Sequence, residues 1–360
     1  RTGLEGKNEC QLFKKNSTRM EKIKVVREHM SNGMKRDHCL KLVGLTKNQF
    51  YYKSKGTRPG KQKSQYTKWR DPKTKISYNV DNKDVVKTIV EIKLNDDLPN
   101  WYRLITNQLQ IEGYYINHKK VYSLMYEHIL LEDAPKKPGR TFVKFRKIAP
   151  TGPLQIIEMD IKYFWIDGAN QYAFVLTIID TFTRYVLHWT VGLSMKSEQV
   201  KSMWEFVIAE YLQPNCIDPK DVMIEVRSDN GKQFLANKIR TFFEENGINQ
   251  VFTKPYTPEE NGHVESFHSI LGKATAKDCY ANINQLETRL QRFYTCYNND
   301  RCHSGTKGIP PAKFWALYSM NYIEVIPLKV NEIKIKLNVA YQDILTIPGI
   351  DMYEYRVMQT

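Results

Sequence analysis

None of the six cysteines (Cys10, Cys39, Cys216, Cys279, Cys296, Cys302) stands in a C-x-x-C pair. That spacing excludes a zinc ribbon or a disulfide scaffold and fits a reducing interior. No apolar run approaches the roughly 20 residues that a membrane span needs, and no signal-type apolar segment opens the chain. A soluble, cytoplasmic protein with no membrane partner is expected. The initiator Met is also missing, which suggests a processed or truncated N-terminus. Acidic residues are scarce in one half only. Residues 1–150 carry 33 lysines and arginines against 15 acids, a net of +18, while residues 151–360 carry 21 against 24, a net of −3. A basic half joined to a nearly neutral half predicts a polyanion partner, with the contacts concentrated in the first half. What remains is ample for folding. A chain of 360 residues, 41% of them hydrophobic, has room for about two to three domains.

The basic half reads as two small helical units. In residues 1–56, Ile23, Val26 and Met30 recur at helical spacing, Asn32-Gly33 breaks the chain, and "RDHCLKLVGLTKNQFYYKS" gives helix, turn at Gly44, helix, with Thr46 as N-cap. His29, His38 and Cys39 do not complete a zinc set without a cysteine pair. Residues 57–80, basic and marked by Pro59, Gly60 and Pro72, read as a linker. Residues 81–133 hold a second unit: a helix at about 83–94, another from Pro99 to Glu112, and a third from His118 to Leu130 capped by Asn117. Residues 134–152 form a second basic linker that ends in Pro150 and Gly152. A three-helix scaffold without DNA contact remains the simpler alternative for each unit alone.

Beyond residue 153 the rhythm changes. "LQIIEMDIKYFWI" alternates Ile157, Met159, Ile161 and Tyr163 with Glu158, Asp160 and Lys162, the period of a strand. Two more strands follow, then helix and strand in alternation, which implies an α/β layered sheet flanked by helices. Asp160 lies in the first strand, Asp229 ends the fourth, and Glu265 rides the last helix opposite the apolar stripe of Val264, Phe267 and Leu271. Thirty-five residues separate Asp229 from Glu265. Asn230-Gly231 would ordinarily mark a hairpin, yet a helical pattern follows; the pair is expected to serve as a sharp strand-to-helix exit.

"MDIKYF", "RSDNGKQF" and "KPYTPEENGHVESFHSIL" together resemble the Asp-Asp-Glu motif of the retroviral-integrase superfamily. The tandem helical units and "YNNDRCHSGTKGIPPAKFW" narrow the similarity to the second-frame transposase of the insertion-sequence-three family, over about residues 20–318. The resemblance implies an RNase-H-like α/β catalytic core at 153–280, a five-stranded mixed sheet flanked by helices, preceded by all-α helix-turn-helix units. A helical extension at 281–320 and a β-rich tail at 321–360 complete the expected layout. The resemblance also implies that Asp160, Asp229 and Glu265 are catalytic and hold two Mg²⁺ or Mn²⁺ ions. The chemistry agrees, because phosphodiester cleavage needs an activated nucleophile and a stabilised leaving oxygen, and hard divalent ions on oxygen ligands supply both.

The expected partner is double-stranded DNA, bound by a homodimer or higher oligomer that joins two element ends. Lys47, Lys53, Arg58, Lys61, Lys63, Lys119, Lys120, Lys136, Lys137, Arg140, Lys144, Arg146 and Lys147 are the expected contacts in the basic half. The family's usual Lys or Arg seven positions after the third acid is replaced by Gly272, so Lys273 is the expected cation there. Asp180 is expected to cap the turn before Arg184. His263 and His268 flank Glu265 and face either DNA phosphate or solvent.

Overall fold

The computed structural model describes residues 18–52, 64–132, 149–215, 217, 224–253, 261–329 and 332–354. They fall into two compact units, Arg1–Ser64 and Gln65–Thr360. No described helix is long and apolar enough to cross a membrane.

In the first unit, α1 (Arg19–Ser31) starts from Thr18 in a capping box with Glu21. Helix α2 (Arg36–Val43) ends at Gly44, whose φ of 66° is the left-handed conformation that glycine adopts without steric cost. Thr46 then caps α3 (Lys47–Tyr51) through its bond from the Gln49 N–H. Ile23, Val26, Cys39, Leu40 and Phe50 close the small core. Cys39 is therefore a packing residue.

The second unit opens with a departure from the expected linker. Residues Tyr66–Arg70 (β1) and Ser77–Asp81 (β2) form an antiparallel hairpin, and Tyr114–Tyr115 (β3) adds a third strand on β1. Residues 57–63 of that linker lie outside the described residues, as do 134–148 of the second one. The hairpin forms because "YTKWR" alternates. Thr67 is buried, while Trp69 stacks on Tyr78 and donates its Nε1–H to the Glu112 carbonyl. Basic side chains hid this period, since Lys68 and Arg70 occupy the outward face. The three helices follow as expected: α4 (Asn82–Leu94), α5 (Tyr102–Ile111) and α6 (His118–Glu127), packed through Val85, Ile89, Ile105, Leu109 and Val121. Helices with a three-stranded sheet replace the all-α unit.

The main sheet comprises β4 (Ile156–Ile166), β5 (Gln171–Asp180), β6 (Val186–Gly192), β7 (Ile224–Ser228) and β8 (Ile248–Phe252) in the order β6-β5-β4-β7-β8. The first three are antiparallel, whereas β7 and β8 run parallel to β4. This is the RNase-H-like arrangement. Helices α7 (Ser197–Val207), α8 (Lys232–Leu235), α9 (Asn237–Glu245), α10 (Gly262–Ala274) and α11 (Ile283–Asn299) flank it. One large core joins Ile157, Met159, Trp204, Phe243, Phe267 and Tyr294. The buried row of β4 is not the single one expected: Tyr163 is exposed, while Glu158, Phe164 and Ile166 are buried. Helices cover both faces of the strand, each over a different stretch.

Helix α12 (Pro311–Ser319) precedes a hairpin of β9 (Ile323–Lys329) and β10 (Glu332–Leu337), and a 3₁₀ turn at Tyr341–Thr346 follows. Ile344 is fully buried in a cluster with Ile111, Phe182 and Phe314, and Asp343 pairs with Arg70 at 2.8 Å. The tail thus clamps the three-helix segment to the large sheet.

Candidate active site

The parallel pairing of β4 with β7 sets Glu158 opposite Arg227. Asp160, within β4, and Asp229, just past the end of β7, each follow two residues later on neighbouring strands. The Ile161 N–H donates to Asp160 Oδ1 at 2.8 Å, and His268 Nδ1 lies 3.2 Å from Asp160 Oδ2. The Gly231 N–H donates to Asp229 Oδ1 at 3.0 Å. Residue 229 is exposed as a whole, yet its carboxyl is partly desolvated. Desolvation pushes the Asp229 carboxyl above the usual range, the Gly231 N–H opposes that, and the Asp160 charge adds to it.

Asn230-Gly231 does lead from strand to helix. Gly231 is the N-cap of α8 with φ −60°, so no left-handed conformation is involved. Its lack of a side chain matters for space instead: a Cβ there would stand 3.0 Å from Asp229 Oδ1 and would crowd the Gln233 amide.

Helix α10 lies along β4 in matching steps. Glu158, Asp160 and Lys162 share one face of the strand. Glu158 Oε2 accepts the N–H groups of His263 (2.9 Å) and Val264 (2.8 Å), and its Oε1 lies 2.7 Å from His263 Nδ1. Asp160 meets His268, and the Lys162 ammonium lies against Gly272. Two residues of strand advance about 6.6 Å, and four or five residues of helix advance about 6–7.5 Å. Strand and helix therefore stay in step over three rungs.

Glu158 is completely buried, and it replaces the cap that Asn261 does not provide. An acid inserted from another element satisfies two orphan N–H groups and complements the helix dipole. Glu265 falls in the first turn of this anchored helix and is exposed. The structure brings Asp160 and Asp229 together. Among the described residues no three His, Cys, Asp or Glu side chains form a ready-made metal site. The nearby donors are carboxylate oxygens with an unfavourable like-charge pair, which is the donor set and the electrostatic deficit that a hard divalent cation fits.

Both histidines are engaged. His263 pairs with Glu158, while His268 is buried, with Nδ1 toward Asp160 and Nε2 lacking a hydrogen-bond partner among the described residues. Asp180 caps its turn as expected, accepting from the Leu154 and Thr183 N–H groups; burial raises its carboxyl above the usual range. His268, expected to face DNA phosphate or solvent, meets Asp160 instead, and Glu158 and Lys162 were the neighbours of Asp160 that went unnoticed. The signal was present in the period-two row of "EMDIK", where the residues flanking Asp160 were passed over as outward polar positions.

The expected DNA-contact residues divide. Lys53, Arg58, Lys61, Lys63, Lys136, Lys137, Arg140, Lys144, Arg146 and Lys147 lie outside the described residues. Lys47 is exposed and 3.8 Å from Asp37, and Lys119 and Lys273 are exposed. Lys120 departs from expectation, because its ammonium donates to the Tyr66 carbonyl at 2.7 Å and braces α6 against β1.

Known proteins share this core. Residues 150–258 and 246–311 match two models, each described as an integrase core domain. An uncharacterized protein of insertion element IS476 from Xanthomonas euvesicatoria is 26% identical over 219 residues, covering 60% of this chain and 60% of that protein. The putative transposase InsK of insertion sequence element IS150 from Escherichia coli is 26% identical over 242 residues, covering 64% of this chain and 82% of the relative. The catalytic core domain of BIV integrase aligns over 47% of this chain and 97% of its own, with 22% identity and a TM-score of 0.35. Residues 150–311 are thus similar to integrase core domains, within a chain similar to proteins of bacterial insertion sequences.

Proposed function

We propose that this chain is a transposase that binds the terminal inverted repeats of an insertion sequence and catalyses cleavage and joining of DNA strands. The observation that carries the reading is the pair of carboxylates, Asp160 and Asp229, on adjacent parallel strands, beside a helix whose first turn bears Glu265 and whose start is tied to the same strand. Asp160, Asp229 and Glu265 would hold two Mg²⁺ or Mn²⁺ ions, which when bound supply an activated nucleophile and a stabilised leaving oxygen. The protein's own part is orientation. His268 and the Ile161 N–H fix the two oxygens of Asp160, and the Gly231 N–H fixes one of Asp229. The exposed cations Lys47, Lys119 and Lys273, with the lysines and arginines of residues 53–63 and 136–147, would hold the DNA backbone. Two element ends are joined in one event, so two or more chains act together on the DNA.

Neutral isosteres test the triad. Asp160→Asn, Asp229→Asn and Glu265→Gln should each lower cleavage of end DNA by several orders of magnitude while binding persists, as read by cleavage gels beside mobility shifts. Full divalent-dependent cleavage by any one of them would remove that residue from the site. Joining to a second duplex separates a transposase from a hydrolytic nuclease, and cleavage without joined product would favour the nuclease.

A further inference from the structure

Lys162 is the third rung between β4 and α10. Its Nζ lies 3.3 Å, and its Cε 3.6 Å, from the point where a Cβ on Gly272 would stand. Gly272 follows Glu265 by seven residues, two turns of helix, so both lie on one face of α10. The bare backbone at 272 leaves room beside the lysine, whose ammonium would shift by a few tenths of an ångström to accept a Cβ there. A side chain there would compete with it for the same space.

The charge itself is unbalanced. Arg227, Arg289, Lys238 and Lys313 each reach a carboxylate in an ion pair. Lys162, partly buried, forms no ion pair among the described residues. Its ring neighbour is Phe164, 5.9 Å from Nζ, and Asp160 acts on it only through its charge. A partly desolvated ammonium forfeits hydration that a paired anion normally restores. This one forfeits it on the strand face that carries Asp160, and a phosphodiester brought to the acids would supply the anion.

We propose that Lys162 binds a backbone phosphate of the DNA strand entering the Asp160–Asp229 site, a strand-borne cation occupying the space that the missing side chain of Gly272 leaves open. The proposal rests on the reading of the site as one that acts on DNA. It makes Lys162 a substrate-binding residue with a role in affinity, apart from the metal-holding acids.

Moving the charge tests it. Binding of a duplex bearing the terminal inverted repeat is measured against salt concentration in the absence of divalent ions. Lys162→Met keeps the apolar stem and should weaken binding several-fold, with the slope of log affinity against log salt reduced by about 0.9, the value for one phosphate contact. The double variant Lys162→Ala, Gly272→Lys returns a cation to the same space from the helix and should recover most of the slope. Circular dichroism and melting establish that each variant is folded. A Lys162→Met protein that binds with the parent's affinity and slope would overturn the proposal, as would a folded double variant no better than Lys162→Ala alone. Asp160→Asn, run in parallel, separates the two ideas. If that variant still cleaves, the reading of the site fails on its own evidence, while the salt slopes decide Lys162 independently.

Discussion

At Glu158, a single buried carboxylate accepts two backbone N–H groups and a histidine at the start of the helix that bears Glu265. Removing one partner of such a set leaves the others buried and unsatisfied, at a cost of about 1–3 kcal/mol for each orphaned group. Glu158→Ala is therefore expected to lower unfolding free energy by about 2–4 kcal/mol, measured by urea denaturation. Glu158→Gln keeps one accepting oxygen and should lose about half as much. If both variants melt with the parent, the carboxylate is not what anchors α10. The period-two row in "EMDIK" made this residue visible in the sequence as a neighbour of Asp160. Its burial was not visible, because a polar residue in a strand is read as outward until a helix from 105 residues away is known to cover it.

Among the elements, β6 is an edge strand of the large sheet, and its His188 stacks on Phe206 with ring centroids 4.2 Å apart. Burial lowers the His188 pKa to about 4. A histidine kept neutral in the fold but free to protonate when unfolded binds more protons in the unfolded state between about pH 6.5 and pH 4. Its contribution is full above that window and is lost as the pH falls through it. Replacing it by the apolar ring of His188→Phe should flatten the acid side of the stability curve, read as melting temperature between pH 7 and pH 4. An unchanged slope would mean that His188 titrates normally. Elements with clear periodicity were legible here: the helices over residues 82–127 and the α/β layering implied by alternating helix and strand. The hairpin at residues 66–81 was not, because three lysines, an arginine and a proline gave its sequence the composition of a linker while tertiary contacts to Trp69 made it a sheet.

For the whole molecule, the charge division at residue 150 does not coincide with the structural one. Asp97, almost fully buried, accepts from Arg289 at 2.7 Å and Arg292 at 3.1 Å, and Asp343 holds Arg70 in a partly exposed pair, so the three-helix segment shares one buried ion pair with α11 and a second, more exposed one with the tail, within the unit Gln65–Thr360. Breaking a buried pair by removing one partner costs about 3–5 kcal/mol. A fragment cut at 150 is thus expected to aggregate or melt low. A chain beginning at residue 64 should melt as cooperatively as the full chain in calorimetry, yet bind end DNA with a shallower salt dependence. Equal salt slopes for the two would place the DNA contacts of the basic half outside residues 1–63.

By itself the sequence determined the α/β core, the candidate acids and the basic character of the first half, because period, spacing and charge are properties of local order along the chain. It also placed Asn230-Gly231 as an exit into a helix. Tertiary structure alone decided what each neighbour of Asp160 does. Glu158 caps a distant helix, His268 turns inward to a carboxylate, and Lys162 fills the space above Gly272, since each of these contacts joins residues about 105 to 110 positions apart that only the packing of α10 on β4 brings together.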